Sequence, residues 1–166
     1  MHNAHHTDST AFNHPVLHLA DEAATLALGA KIAPVLHPGL IIFLSGNLGA
    51  GKTTLARGIL RGLGYSGKVK SPTYNLVELY KVSRLYFYHF DFYRFNDPAE
   101  WEEAGFREYF NTESICLVEW PEKAGGLLPT ADLQFIFSIT ETSRSVEIQA
   151  GTEAGKQCLK QTLKHL

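Results

Sequence analysis

One stretch of fifteen residues, 40–54, constrains the fold more than any other part of the chain. It reads LIIFLSGNLGAGKTT, an apolar run followed by the pattern Gly-x4-Gly-Lys-Thr from Gly46 to Thr53. Gly46 and Gly51 can adopt backbone conformations that a β-carbon forbids, so main-chain N–H groups can converge on an anion where a helix begins. The stretch therefore predicts a buried strand, a phosphate-binding loop and a helix over 54–63.

The polar residues of this loop have separate chemical tasks. The Lys52 ammonium is a mobile positive charge suited to the β- and γ-phosphates of a nucleotide. The Thr53 hydroxyl is a hard oxygen ligand suited to Mg²⁺. We therefore expect a nucleotide and Mg²⁺ at this loop, with the nucleotide bound by nine consecutive residues: Gly46, Asn47, Leu48, Gly49, Ala50, Gly51, Lys52, Thr53 and Thr54.

Composition limits the class of protein. A chain of 166 residues with 45% hydrophobic and 19% charged content is expected to form one globular domain, here over 16–166, after a polar, His-rich segment, 1–15, that we expect to be disordered. A net charge of -2 argues against binding nucleic acid by bulk electrostatics. Two distant cysteines, apolar runs too short for a bilayer and no signal peptide predict a cytoplasmic protein without a membrane role.

Periodicity predicts the remaining elements. A helix is expected over 21–36, where Asp21 is a good N-cap, and a terminal helix over 152–166. Alternating or apolar runs predict strands at 75–80, 85–91, 115–119, 132–140 and 143–149. The predicted architecture is a three-layer α/β P-loop NTPase fold, with a mixed, mostly parallel sheet and antiparallel margins.

Two carboxylates compete for the metal-binding role. Asp91 ends the strand at 85–91 and Glu119 ends the strand at 115–119, and a carboxylate at the end of a buried strand can hold Mg²⁺ or its water. The residues alone leave open which of them does so, and whether one is only a structural ion-pair partner. Thr73 follows Pro72 in a loop that is either a sensor of the γ-phosphate or an ordinary connector.

Other residues have both a structural and a functional interpretation. The aromatic run 85–91 is either a packed strand, which we favour, or a platform for stacking bases, and His89 within it is expected to be a strand residue and not a base. Trp101 either docks a partner or lies inside, the commoner outcome. Arg94 is either a phosphate contact or a surface charge, and Arg144 is either a nucleotide contact or, as we favour, a charge on the hairpin.

Four segments together resemble the bacterial TsaE (YjeE) family, small P-loop ATPases needed for the threonylcarbamoyladenosine modification of tRNA. They are GNLGAGKTT at 46–54, VKSPTY at 69–74, YHFDFYR at 88–94 and VEWP at 118–121. The resemblance runs from about Asp21 to the C-terminal hairpin. It implies ATP at the loop, Thr53 and Glu119 as ligands on the Mg²⁺ side, and two switch segments within the second and third of these stretches.

The resemblance also implies a partner and a role. The protein would act on the complex of TsaD with TsaB in t6A37 synthesis, meeting tRNA only indirectly, and ATP hydrolysis would reset that complex. The candidate catalytic residues are then Lys52, Asp91, Glu119 and Thr73, with Asp91 a further candidate metal ligand beside Thr53 and Glu119. Asn47 departs from the aspartate common in the family, but the N–H groups of the loop do not need a carboxylate there.

Two other functions fit a phosphate-binding loop. A small-molecule kinase would need an arginine-bearing lid over the phosphates, and the chain has no long arginine-rich insertion. A nucleotide-gated binding module would use ATP occupancy, without hydrolysis, to control docking.

Overall fold

The computed structural model describes residues 14–47, 49, 51–72 and 74–166. This part of the chain forms seven strands: β1 (Val16–His18), β2 (Ile41–Ser45), β3 (Val77–Val82), β4 (Leu85–Asp91), β5 (Ser114–Glu119), β6 (Leu133–Ile139) and β7 (Arg144–Ala150). It also forms four α-helices: α1 (Glu22–Ile32), α2 (Lys52–Gly62), α3 (Ala99–Glu103) and α4 (Glu153–Leu163). Short 3₁₀ segments lie at Ala33–Val35, Phe106–Tyr109 and Pro121–Leu127.

All seven strands belong to one mixed sheet in the order β1-β7-β6-β2-β5-β4-β3. β2 is parallel to β5 and to β6, and β4 is parallel to β5. The pairs β1–β7, β6–β7 and β3–β4 are antiparallel. The predicted α/β fold, with a parallel centre and antiparallel margins, is confirmed.

Apolar clusters cover both faces of the sheet. On one face α1, α2 and α4 pack against residues of β2, β4 and β5 that include Leu44, Phe87 and Leu117. On the other face lie α3 and the neighbouring 3₁₀ segments, with a buried group of Phe90, Phe92, Phe95, Trp101, Phe106, Cys116, Val118 and Ala124. The aromatic run of β4 is therefore a packed strand, and Trp101 lies inside.

Local signals explain where the helices begin. The Asp21 carboxylate accepts a hydrogen bond from the Ala24 N–H at 2.8 Å, as expected for an N-cap, and Thr152 accepts one from the Gly155 N–H at 3.1 Å. α2 begins two residues before the predicted Thr54, because Gly51, at φ +108°, turns the chain directly into the helix.

α1 and α2 approach each other closely at two glycines. A β-carbon on Gly58 would lie 2.5 Å from the carbonyl oxygen of Leu26, and one on Gly29 would lie 2.7 Å from the Ile59 nitrogen. The absence of side chains at these positions sets the distance between the two helices, and thereby the position of α2 above the sheet.

The division into a disordered segment at 1–15 and a domain at 16–166 stays a prediction, since residues 1–13 lie outside the described part. In the part of the chain that the structure describes, no helix combines the length and the apolar character needed to cross a bilayer.

Candidate functional site

A cavity of about 310 Å³ opens at the carboxyl ends of the parallel strands. Because β4 and β5 are parallel neighbours and end together, Asp91 lies opposite Glu119, and Glu119 lies opposite Leu44 of β2. Ligands of open α/β sheets bind outside this edge. The cavity is lined by Glu22, Gly49, Gly51, Lys52, Thr53, Thr54, Ser71, Asp91, Glu119, Trp120 and Arg144.

The loop between β2 and α2 has the backbone that anion binding requires. Gly46, Gly49 and Gly51 have φ values of +138°, +79° and +108°, a region that glycine adopts without strain. Gly51 is the residue before α2 and has no side chain to cap its first turn, where N–H groups lack intrahelical acceptors. The positive end of this eleven-residue helix thus faces the cavity. Of the predicted nucleotide-binding residues, Leu48 and Ala50 lie outside the described part.

Lys52 is buried at the edge of this cavity. Its Nζ donates a hydrogen bond to the Gly46 carbonyl at 2.7 Å and lies 3.9 Å from the centroid of the Trp120 ring. Burial lowers the pKa of Lys52, an effect opposed by the nearby charges of Glu119 and Asp91. The ammonium is thus held within the site by the loop backbone and by one aromatic face.

Glu119 joins three elements through one oxygen. Its Oε2 accepts hydrogen bonds from the Thr53 hydroxyl at 3.3 Å and from the His89 Nε2 at 2.6 Å. Thr53 belongs to α2, His89 to β4 and Glu119 to β5. The contact brings the two residues of the implied Mg²⁺ ligand pair, Thr53 and Glu119, next to each other.

Asp91 lies at the same edge and is also buried. Burial raises the pKa of its carboxyl, and the charge of Glu119 adds to this effect, whereas the hydrogen bond from the Tyr93 N–H at 2.9 Å opposes it. Asp91 and Glu119 therefore share one cavity with Lys52, as predicted from their positions after two apolar strands.

The donor atoms at this edge fit a hard cation. The hydroxyl of Thr53 and the carboxylates of Glu119 and Asp91 are oxygen ligands, which Mg²⁺ prefers in combination with water and phosphate oxygens. Over the described residues there is no group of three or more His, Cys, Asp or Glu side chains arranged to hold a metal ion.

The remaining predicted residues are divided between the cavity and its surroundings. Arg144, for which a charge on the hairpin was favoured, lines the cavity, and its contact with a nucleotide stays a prediction. The Arg94 guanidinium instead lies 4.6 Å from the ring centroid of Tyr74, which is 83% exposed. Thr73 lies outside the described residues, while Ser71 of the same loop lines the cavity.

Two residues of the site were not predicted. Trp120 contacts Lys52 and has φ +58° and ψ +49°, a left-handed conformation that is rare for a bulky residue. No local sequence pattern predicts this left-handed conformation at Trp120. His89 was expected to be a strand residue and not a base, and the resemblance placed it in the second switch segment, but its contact with Glu119 was not predicted. Its position two residues before Asp91 puts both side chains on the same face of β4, and that spacing was the available signal.

Comparison with known proteins identifies the family. The family model described as threonylcarbamoyl adenosine biosynthesis protein TsaE matches residues 19–148. A tRNA threonylcarbamoyladenosine biosynthesis protein TsaE of Haemophilus influenzae is 46% identical over 147 residues, covering 86% of this chain and 93% of the relative. The protein of that name from Bacillus subtilis is 40% identical over 112 residues, covering 68% of this chain and 70% of the relative.

A solved structure agrees with this result. The crystal structure of Bacillus subtilis YdiB superposes with a TM-score of 0.78 at 27% sequence identity, covering 92% of this chain and 95% of YdiB. The resemblance carried by the four sequence segments is thereby confirmed at the level of the family and of the fold. The chain belongs to the TsaE family, whose members take part in tRNA threonylcarbamoyladenosine biosynthesis.

Proposed function

We propose that this protein binds and hydrolyses ATP in the cytoplasm as an accessory factor of t6A37 synthesis, acting on the complex of TsaD with TsaB and meeting tRNA only through that complex. Family membership supports the process. The observation that supports the ATPase activity is the hydrogen bond from Thr53 to Glu119 beside Lys52, because it joins the phosphate-binding helix to a buried carboxylate.

In this proposal the loop and Lys52 bind the phosphates. The N–H groups at the start of α2 surround the β-phosphate, and the Lys52 ammonium exchanges the Gly46 carbonyl for phosphate oxygens. Its positive charge then stabilises the negative charge that develops as the γ-phosphoryl group leaves ADP.

Thr53 and Glu119, with Asp91 beside them, would hold Mg²⁺. The ion would neutralise part of the negative charge of the phosphates and so favour attack on the γ-phosphoryl group. These three side chains place their oxygens at one edge of the cavity, so they also orient the triphosphate relative to the sheet.

Asp91 and Thr73 are the candidates for ordering the attacking water. The water oxygen forms a bond to the γ-phosphorus, the bond from that phosphorus to the bridging oxygen of ADP breaks, and the products are ADP, inorganic phosphate and a released proton. A carboxylate such as Asp91 accepts a hydrogen bond from the water and so directs its lone pair. We expect slow turnover by the isolated protein, with a partner supplying further charge stabilisation.

The first test is ATP hydrolysis by the purified protein, alone and with TsaD and TsaB. We expect the partners to increase the rate, and Glu119→Gln to lower kcat by at least about 10²-fold, as loss of a charge-stabilising group typically does. Glu113→Gln, at an exposed residue directly before β5, is the matched control and should retain the wild-type rate. Equal rates for Glu119→Gln and wild type would contradict the proposal, and phosphate transfer to an added metabolite would indicate a kinase.

One contact favours a nucleotide-gated module as the second candidate. Because Lys52 contacts the Trp120 ring, and that ring lies 5.0 Å from the 40% exposed Tyr93, phosphate binding by Lys52 would alter contacts that reach the surface. Occupancy alone could then control docking. A non-hydrolysable ATP analogue separates the two functions: support of repeated rounds of tRNA modification favours the gated module, and arrest after one round favours the ATPase.

A further inference from the structure

We infer that His89 is a positioning residue, which fixes the carboxylate of Glu119 for its task at the nucleotide. The inference rests on the proposed function and concerns a side chain that the proposed chemistry does not use. Its basis is the hydrogen bond of 2.6 Å from the His89 Nε2 to the Glu119 Oε2.

Strand register brings these two residues together. His89 pairs with Leu117 in the parallel β4–β5 ladder, so Glu119, two residues further along β5, lies on the same face and diagonally adjacent. His89 is 0% exposed and Glu119 is 3% exposed. Water therefore does not compete strongly for the hydrogen bond. The two side chains lie between the sheet and α2, which limits the conformations that they can adopt.

The chemistry of the contact fixes its direction. An ionised carboxylate only accepts hydrogen bonds, so the His89 Nε2 carries the hydrogen and donates it. In the described structure, both hydrogen bonds of this carboxylate, from His89 and from Thr53, end on Oε2. The carboxylate is thus held by one oxygen, and we assign its other oxygen, Oε1, to the nucleotide side.

Core packing alone does not explain a histidine here. Apart from Asp91 and Glu119, the neighbouring positions on this face of the sheet are the buried apolar residues Phe87, Ile115 and Leu117. The Nδ1 of His89 is buried and has no hydrogen-bond partner among the described residues, so the imidazole carries a desolvation cost that an apolar side chain would avoid. The hydrogen bond to Glu119 offsets part of that desolvation cost.

The test compares three variants in the ATPase assay with TsaD and TsaB. His89→Leu removes the donor and should lower kcat by about 10–100-fold, the usual effect of losing a residue that orients a ligand, with KM changed less than about twofold. His89→Gln can present an amide N–H near the Nε2 position and should recover most of the rate. Phe87→Leu, on the same strand and face, is the packing control and should lower the melting temperature while kcat stays at the wild-type value.

A double mutant shows whether His89 acts through Glu119. In a Glu119→Gln background, His89→Leu should lower kcat no further, because the residue that it positions is already changed. Full and independent losses of rate from the two substitutions would overturn the inference, as would an unchanged kcat in His89→Leu.

A crystal structure of His89→Leu decides the inference without an activity measurement. We expect the Glu119 carboxylate to leave its position and lose its contact with Thr53. A carboxylate that stays in place would overturn the inference, whatever the rate. The wild-type ATPase rate tests the proposed function separately, so the two can fail independently.

Discussion

At the scale of single residues, the site places charges where burial disfavours them. Burial lowers the pKa of Lys52 and raises the pKa of Asp91, which means that the folded environment disfavours the charged form of each. The attraction between Lys52 and Asp91 offsets part of this cost for both residues, whereas Glu119 offsets it only for Lys52 and adds to it for Asp91. Such an arrangement is typical of a binding site, because buried charges lower the stability of the folded protein but can interact strongly with a ligand.

The raised pKa of Asp91 gives stability a defined pH dependence. The folded protein binds the Asp91 proton more tightly than the unfolded chain does. As pH rises from the ordinary aspartate pKa of about 3.9 through the higher folded value, stability is lost, and above that window the ionised carboxylate imposes its full cost.

We therefore predict that Asp91→Asn stabilises the protein at neutral pH. The asparagine side chain can still accept from the Tyr93 N–H but carries no charge. The melting temperature should rise by roughly 2 °C at pH 7, with the gain vanishing towards pH 3.5. Calorimetry across this range is the measurement, with the exposed Glu141→Gln as control. A gain that grows on acidification would contradict the prediction.

At the scale of secondary structure, contact between α1 and α2 positions the phosphate-binding helix. Gly58 brings α2 against the backbone of α1 at Leu26, and the first turn of α2 carries Lys52 and Thr53. A second connection ties the sheet to α4: Asp132 accepts from the Ile41 N–H at 2.7 Å and from the Thr152 hydroxyl at 2.6 Å. The site thus depends on contacts outside it.

We predict that Gly58→Ala destabilises the protein, although alanine favours a helix. The new methyl group would lie 2.5 Å from the Leu26 carbonyl oxygen, so the two backbones would have to separate. We expect a loss of about 1–3 kcal/mol in the free energy of unfolding, measured by urea denaturation.

Gly126→Ala is the matched control for that experiment. A β-carbon there meets nothing within 4 Å, so stability should change by less than about 0.5 kcal/mol. An equal or greater stability of Gly58→Ala relative to wild type would show that the helices can separate freely.

At the scale of the whole molecule, the site lies at one edge of the sheet, near its centre. β2 lies in the centre of the sheet between β6 and β5, and the cavity opens at the carboxyl ends of its parallel strands. A ligand in this cavity would contact the loop after β2, the start of α2, the ends of β4 and β5, and the start of β7. Binding should therefore stabilise the whole domain.

We predict that ATP with MgCl₂ raises the melting temperature. At a concentration of one hundred times Kd, a ligand that binds only the folded state contributes about 2.7 kcal/mol, which corresponds to roughly 5–10 °C for a domain of this size. Lys52→Met should lose most of this shift, because the substitution removes the ammonium that lies in the loop against the Gly46 carbonyl and that we propose binds the phosphates. Thermal denaturation with and without nucleotide is the measurement.

Lys156→Met, on the exposed face of α4, is the control and should retain the full shift. A shift of the same size in Lys52→Met would exclude Lys52 as a phosphate ligand. The absence of any shift in the wild-type protein would argue against nucleotide binding altogether.

The features that the sequence alone determined are those that depend on interactions between residues close together in the chain. The strand, glycine loop and helix at 40–63, the two hairpins and the placement of Asp91 and Glu119 at strand ends all follow from periodicity, capping and glycine conformation, which act over a few residues. Their clustering was predictable because parallel strands share a carboxyl edge.

Only the tertiary structure decided the contacts between distant segments. The strand order sets which strand ends are neighbours, and the β4–β5 register joins His89 to Glu119 across thirty residues of chain. The left-handed turn at Trp120 puts its ring against Lys52, and packing against Phe110 buries Trp101. These contacts depend on the order and register of strands, which a local residue pattern does not specify, because many pairings satisfy the same alternation of apolar and polar side chains.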